Sequence, residues 1–104
     1  MTFALTRMLP ELPREQSVVV ELGRDSTVTR VEVELTREGE TEPRRGFSLA
    51  VEPGQARVRH SVDLPHGRYT LRARGSGKNL AATEVTRRVT LDGNEIRVTI
   101  PMPP

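Results

Sequence analysis

Residues 62–74 constrain the fold of this chain more than any other stretch. Pro65 fixes its own φ and has no N–H for a sheet ladder, and Gly67 tolerates positive φ, so the chain must turn here. Beyond the turn the residues alternate in two sets, Tyr69, Leu71 and Ala73 against Arg68, Thr70, Arg72 and Arg74. This period of two is typical of a strand with one buried face and one solvated face. The stretch therefore predicts a turn followed by a half-buried β-strand.

Six further alternating runs favour an all-β fold. They follow one another at short, regular intervals, and Val, Leu and Ile dominate their apolar positions, which suits strands better than helices. We predict one antiparallel β-sandwich of about seven strands in residues 17–101, an irregular arm in residues 1–16 and a tail in residues 102–104. The central apolar residue of each run should be buried, namely Val20, Val33, Leu49, Val62, Leu71, Val89 and Val98.

The turn and the start of the strand after it carry a family resemblance. Residues 64–71, Leu-Pro-His-Gly-Arg-Tyr-Thr-Leu, resemble the L-P-x-G-x-Y-x-L stretch of carboxypeptidase-regulatory-like, transthyretin-like and collagen-adhesin B-type domains. The resemblance implies an Ig-like or transthyretin-like sandwich and carries almost no functional information. Tyr69 is then a candidate tyrosine corner, in which the hydroxyl bonds to backbone just upstream. The alternative is a tight hairpin in which Tyr69 is only a large strand-forming residue.

The last two runs contain a second turn and an irregular position. Asp92 and Gly93, followed by Asn94, predict a tight hairpin, because these residues supply the positive φ values that short hairpins need. Arg87 shares its phase with the apolar residues of the sixth run. Either the sixth strand carries this arginine over the rim of the core, or a bulge redirects it.

The chain offers few side chains for catalysis. It has no Cys, which excludes thiol catalysis, thiolate metal sites and disulfides. His60 lies on the apolar face of the fourth run, where a histidine is more often a hydrogen-bonded core or edge residue than a ligand, and His66 lies in the turn. No nucleophile, base and orienting group occur at a defensible spacing. We therefore expect a domain that is not an enzyme and uses no metal, cofactor or small-molecule substrate.

The chain has a pI of 9.9, and arginine supplies nearly all of its basic residues. A GC-rich bacterial genome would explain this preference for arginine over lysine. Residues 1–54 hold seven Arg against ten Asp and Glu, whereas residues 55–104 hold nine Lys and Arg against four acids. We predict that some of the outward arginines form one positive surface where their strands share a sheet, the candidates being Arg57, Arg59, Arg72, Arg74, Arg88 and Arg97. Alternatively they pair with acids such as Asp63 or Glu95 and contribute only solubility.

Two hypotheses for function follow. The first is a structural or interaction module that binds a protein partner or a second copy, by strand addition at an open edge or through its charged faces, for example in a cell-envelope assembly. The second is an anion or nucleic-acid binder that uses the basic half. The lack of an aromatic platform and of a recognition helix weighs against nucleic acid.

Residues 1–16 bear on localisation. Arg7 interrupts their apolar run and no small-residue cleavage site follows, so they do not match a signal peptide, and they are too short to span a membrane. We expect a cytoplasmic domain from the chain as written. A removed upstream anchor or signal would place it in the cell envelope or periplasm instead.

Overall fold

The computed structural model describes residues 12–23, 27–77 and 80–100, without the side chains of residues 80–82. These ranges contain no helix and seven strands: β1 (Arg14–Glu21), β2 (Arg30–Arg37), β3 (Arg45–Ala50), β4 (Arg57–Leu64), β5 (Gly67–Gly77), β6 (Leu80–Leu91) and β7 (Ile96–Thr99). β1 begins inside the segment that was predicted as an arm. Residues 1–11 of that arm and the predicted tail lie outside the described residues.

The strands form two sheets that pack against each other. One sheet has three strands in the order β4-β1-β7, and the other has four in the order β3-β2-β5-β6. The prediction of an all-β sandwich of seven strands is confirmed. The expectation of purely antiparallel sheets is wrong at one pair, because β7 joins the three-stranded sheet beside β1 and runs parallel to it.

The core between the sheets is aliphatic. Alternate residues of each strand face it, so that Val33 of β2 lies opposite Ala73 of β5, and both are buried. Five of the seven predicted core residues are buried: Val20, Val33, Val62, Leu71 and Val98. The prediction is wrong for Leu49 and Val89, which are half-buried. Both lie on edge strands of the four-stranded sheet, where coverage comes from one flank only.

The first turn carries the chain from one sheet to the other. Tyr69 is 1% exposed, and its hydroxyl donates a hydrogen bond of 2.8 Å to the carbonyl oxygen of Pro65. The tyrosine corner is therefore confirmed, and the hairpin alternative is wrong because β4 and β5 belong to different sheets. A Cβ at Gly67 would meet the guanidinium of Arg37 at 3.4 Å. Glycine thus leaves room for that arginine beside the corner.

We expect Tyr69→Phe to lower the free energy of unfolding by about 1 kcal/mol, because the ring keeps its packing while one buried hydrogen bond is lost. Urea denaturation of the two proteins measures the difference. The slope of the transition should not change, since the same surface is exposed on unfolding. An unchanged midpoint would show that the corner does not contribute to stability.

The second turn also crosses between the sheets. Gly93 has a φ of 92°, and the N–H of Asn94 donates to Oδ1 of Asp92 at 3.0 Å. The turn residues behave as predicted, but the hairpin is wrong because β6 and β7 lie in different sheets. Gln16, 0% exposed, donates from Nε2 to the carbonyl of Leu64 and accepts at Oε1 from the N–H of Gly93, both at 3.1 Å. One buried amide thus fastens β1 to both crossings.

β5 and β6 form a long hairpin. Residues 75–77 belong to β5, and the register shifts between Gly75 and Gly77. Arg87 lies opposite Leu71 in regular register, so no bulge redirects it and it points to the core side of an edge strand. A Cβ at Gly75 would meet side-chain atoms of Ile100 at 3.3 Å. The chain after β7 therefore packs directly on β5.

Candidate functional site

The six arginines that the sequence singled out lie on two opposite faces of the sandwich. Those of β4 and β7 lie on the three-stranded sheet, and those of β5 and β6 on the four-stranded sheet. All six are exposed, and their register pairs them with outward-facing neighbours. The two sets are Arg57, Arg59 and Arg97 on one face, and Arg72, Arg74 and Arg88 on the other. Because the core separates the sets, the six do not form one surface.

On the three-stranded face two of the three arginines, Arg59 and Arg97, are paired with acids. Glu95 binds Arg59 at 2.7 Å and Arg97 at 3.0 Å, and Arg97 lies 3.7 Å from Glu21. Val19 is opposite both arginines in register and only 1% exposed, although it is on the outer face. The alternative of pairing with Glu95 thus holds here. Exposed pairs of this kind are worth about 0–1 kcal/mol each.

On the four-stranded face one arginine is paired and two are not. Arg72 lies 2.7 Å from Glu34 and 3.9 Å from Glu84, and the hydrogen bond that Arg72 donates to Glu34 raises the pKa of Arg72. Arg74 and Arg88 are exposed and form no ion pair within residues 12–23, 27–77 and 80–100. Arg74 nevertheless stands opposite Glu32 and Glu84 in register, whereas Arg88 stands opposite Thr70.

β7 is an edge strand of the three-stranded sheet, and β6 is an edge strand of the four-stranded sheet. Ile100, the residue after β7, lies against Gly75 of β5, the strand next to β6. The core-facing side chains of β6 are consequently less covered than those of the central strands, and its valines are half-buried while its arginine is exposed. We define the β6–β7 slot as the free edge of β7 (Ile96–Thr99) together with Val85, Arg87 and Val89.

The slot combines three kinds of binding group. β7 pairs with β1 alone among the described strands, so its outer flank presents unpaired backbone N–H and C=O groups. Val85 and Val89 offer apolar contact, and Arg87 stands between them in the same phase, with no ion pair to any described residue. Such a set suits an extended peptide with apolar side chains on either side of an acidic one.

On the opposite side of the sandwich, an aromatic contact joins the two edge strands. The ring of Phe47 on β3 lies 4.3 Å from that of His60 on β4, measured between centroids, and the two rings bridge the sheets. His60 is half-buried in this contact, as its position on the apolar face indicated, while His66 is exposed in the turn. Ring packing thus joins the edge strands on this side, whereas on the other side the contact comes from half-buried aliphatic residues, Val85 and Val89 of β6 and Ile96 of β7.

The rest of the described chain offers little for catalysis. No three residues among His, Asp and Glu come together there in a way that could hold a metal ion. No described helix is long and apolar enough to cross a membrane. Comparison with protein-family models, with curated proteins and with solved structures finds no match to this chain.

Sequence reasoning missed the slot, although its signal was present. Arg87 lies in phase with apolar residues, and a cation in that phase indicates that the strand's core side is open to water. The sequence did not indicate that β7 joins the three-stranded sheet. The slot exists because β7 crosses to the smaller sheet, and the hairpin expected at Asp92 would have paired β7 with β6 instead.

Proposed function

We propose that this protein is a non-catalytic binding module that accepts an extended segment of a partner protein in the β6–β7 slot. The segment adds a strand to the free edge of β7 and lays alternate side chains over β6. The observation that carries the proposal is the mismatch of three strands over four, which leaves a backbone edge and a half-covered apolar strip side by side.

The spacing of the slot defines the partner's chemistry. Val85, Arg87 and Val89 occupy alternate positions over five residues of β6. A segment lying across them needs apolar residues at its first and fifth positions and Asp or Glu at the third, since Arg87 pairs best with a carboxylate. Four residues of β7 span about 13 Å, so the footprint is short and the complex is expected to be of transient strength.

We also infer that the sandwich is transthyretin-like in its finer classification. The tyrosine corner lies within the eight residues that carry the resemblance, and it forms at a crossing between sheets. The second hypothesis, a broad polyanion surface, has less support, because the arginines are divided between faces and several are paired with acids.

The test compares two neighbouring residues of β6 that face opposite ways. Val85→Lys places a charge in the slot, whereas Thr86→Lys places the same charge on the outer face, where Thr86 is registered with Arg72. Immobilised full-length protein captures partners from native lysate at low and high salt. We expect Thr86→Lys to retain the partner that the unmodified protein binds and Val85→Lys to lose it at least about tenfold, with little salt dependence.

Arg87→Glu is the second slot variant, and it tests the charge without altering buried volume. It should also lose the partner, while all three variants keep the unfolding midpoint within a few degrees. Capture that is equal in every variant, absence of any partner, or loss that follows salt alone would each contradict the proposal. A change in sedimentation of the purified protein would identify a second copy as the occupant and contradict a different partner.

A further inference from the structure

A pocket of about 480 Å³ lies at one end of the four-stranded sheet, and of the β6 residues that define the β6–β7 slot only Val89 also lines it. Its walls come from the end of β2 and the turn after it, from the start of β5, and from residues 88–90 near the end of β6. Three arginines line it, Arg37, Arg68 and Arg88. The volume lies in the range of pockets that take small ligands, about 300–1,000 Å³.

The register places two of these arginines diagonally on adjacent strands. Arg68 is opposite Thr90, and Thr70 is opposite Arg88, so the two arginines and the two threonines form the corners of one outward-facing patch. Diagonal neighbours on a sheet face are about 7–8 Å apart, within reach of two long side chains. Arg68 and Arg88 are both exposed, and neither forms an ion pair in the part of the chain that the structure describes.

The pocket also contains acids, which do not cancel this charge. Glu40 is held by Arg44 through two hydrogen bonds of 2.9 and 2.7 Å, and the side-chain bond from Arg44 lowers the pKa of Glu40. Its charge is therefore offset locally by an arginine outside the lining. Glu38 is exposed on the turn. Arg68 and Arg88, against Glu38 as the lining carboxylate outside the Glu40–Arg44 pair, leave the pocket positive.

The geometry points to a binding site for a small molecule that carries a phosphate or sulfate group. Two guanidinium groups and two hydroxyls that meet at one patch match the donors that a tetrahedral oxyanion accepts, and arginine binds such groups through paired hydrogen bonds. Arg37 also lines the pocket, but its guanidinium lies against Gly67 on the core-facing side of the sheet, so the outward-facing patch rests on Arg68 and Arg88. The size of the pocket favours a small ligand over a nucleic-acid backbone, which would follow a longer basic track.

The experiment titrates the full-length protein with inorganic phosphate and, separately, with sulfate and citrate, following backbone amide shifts by NMR at constant ionic strength. We expect saturable shifts confined to residues around the pocket. Arg68→Gln and Arg88→Gln should each weaken binding of the tighter tetrahedral anion by about tenfold to a hundredfold, the loss typical of one charged hydrogen-bonding group. The phosphate and sulfate arms identify the preferred group, and citrate tests whether carboxylates compete.

Two matched controls separate this site from a general effect of charge. Arg74→Gln removes an exposed, unpaired arginine from the same face of β5 outside the pocket, and Arg87→Gln removes the neighbour of Arg88 that faces the β6–β7 slot. Both should leave anion affinity unchanged. Shifts that do not saturate, equal losses in all four variants, or a preference for citrate over both tetrahedral anions would overturn the inference. Because Arg88→Gln should not alter capture of the slot's partner, either proposal can fail without the other.

Discussion

Leu71→Ala is expected to lower the free energy of unfolding by about 2–5 kcal/mol, the range for leucine truncation in a closely packed core. Leu71 is 0% exposed on β5, a central strand of the larger sheet, and the core covers its whole side chain. The surrounding strands are tied on both flanks, so they can relax only partly into the cavity. Chemical denaturation of the variant and the unmodified protein measures the loss.

Leu49→Ala is the matched control for this prediction. Leu49 is half-buried on the edge strand β3, so less transfer free energy is lost and the unsupported flank can move inward. We expect a loss of about 1 kcal/mol, near half the worth of a fully buried leucine. Equal losses at the two positions would contradict the distinction between central and edge strands that the structure draws.

Gln16→Glu is expected to produce a large and pH-dependent loss of stability. The variant keeps the shape of the side chain, and one oxygen can still accept from the N–H of Gly93. The other oxygen, however, faces the carbonyl of Leu64 in place of a donor. An ionised carboxylate there is both buried and opposed by an acceptor, so the site raises the pKa of the introduced carboxyl above its usual range.

The sign of the pH dependence follows from that shift. Below the carboxyl's unfolded pKa of about 4.3 both states are protonated, and the acid can donate to Leu64 as the amide does. As the pH rises toward the folded pKa, the unfolded chain ionises while the folded protein holds its proton, so stability falls. The variant should therefore be closest to the unmodified protein near pH 4 and weakest near pH 7. Gln16→Leu, which cannot titrate, should lose about 1–3 kcal/mol at every pH. Parallel pH profiles for the two variants would refute the assignment of this hydrogen bond.

The sequence predicted the strands well because period-two alternation reports local exposure directly. The tyrosine corner was also accessible, since proline, glycine and tyrosine at that spacing leave few ways to turn. Alternation does not say which sheet a strand joins. A tight hairpin at Asp92–Asn94 and the crossing observed there both suit a positive φ at Gly93. The turn residues therefore could not distinguish a hairpin from a change of sheet.

Most errors about the candidate site follow from that missing information. Whether Arg59 and Arg72 share a surface depends on sheet membership, and so does the incomplete burial of Leu49 and Val89. Gln16 is a different case. Gln16 lies in phase with Val18 and Val20, and this phase places it on the buried face of β1. The predicted sandwich began one residue later, at Ser17, so Gln16 was left out of the strand.

The parallel pairing of β1 with β7 determines how the sandwich responds to tension. The two strands lie side by side from Val18 to Glu21 and from Ile96 to Thr99 and point the same way. A pull on the two ends of the chain draws β1 back toward its start and β7 forward past its end. The strands must then slide along each other, which loads their shared hydrogen bonds together, whereas peeling apart an antiparallel hairpin breaks them one at a time. Force applied at the start of β1 and at the end of β7 therefore loads this pairing in shear.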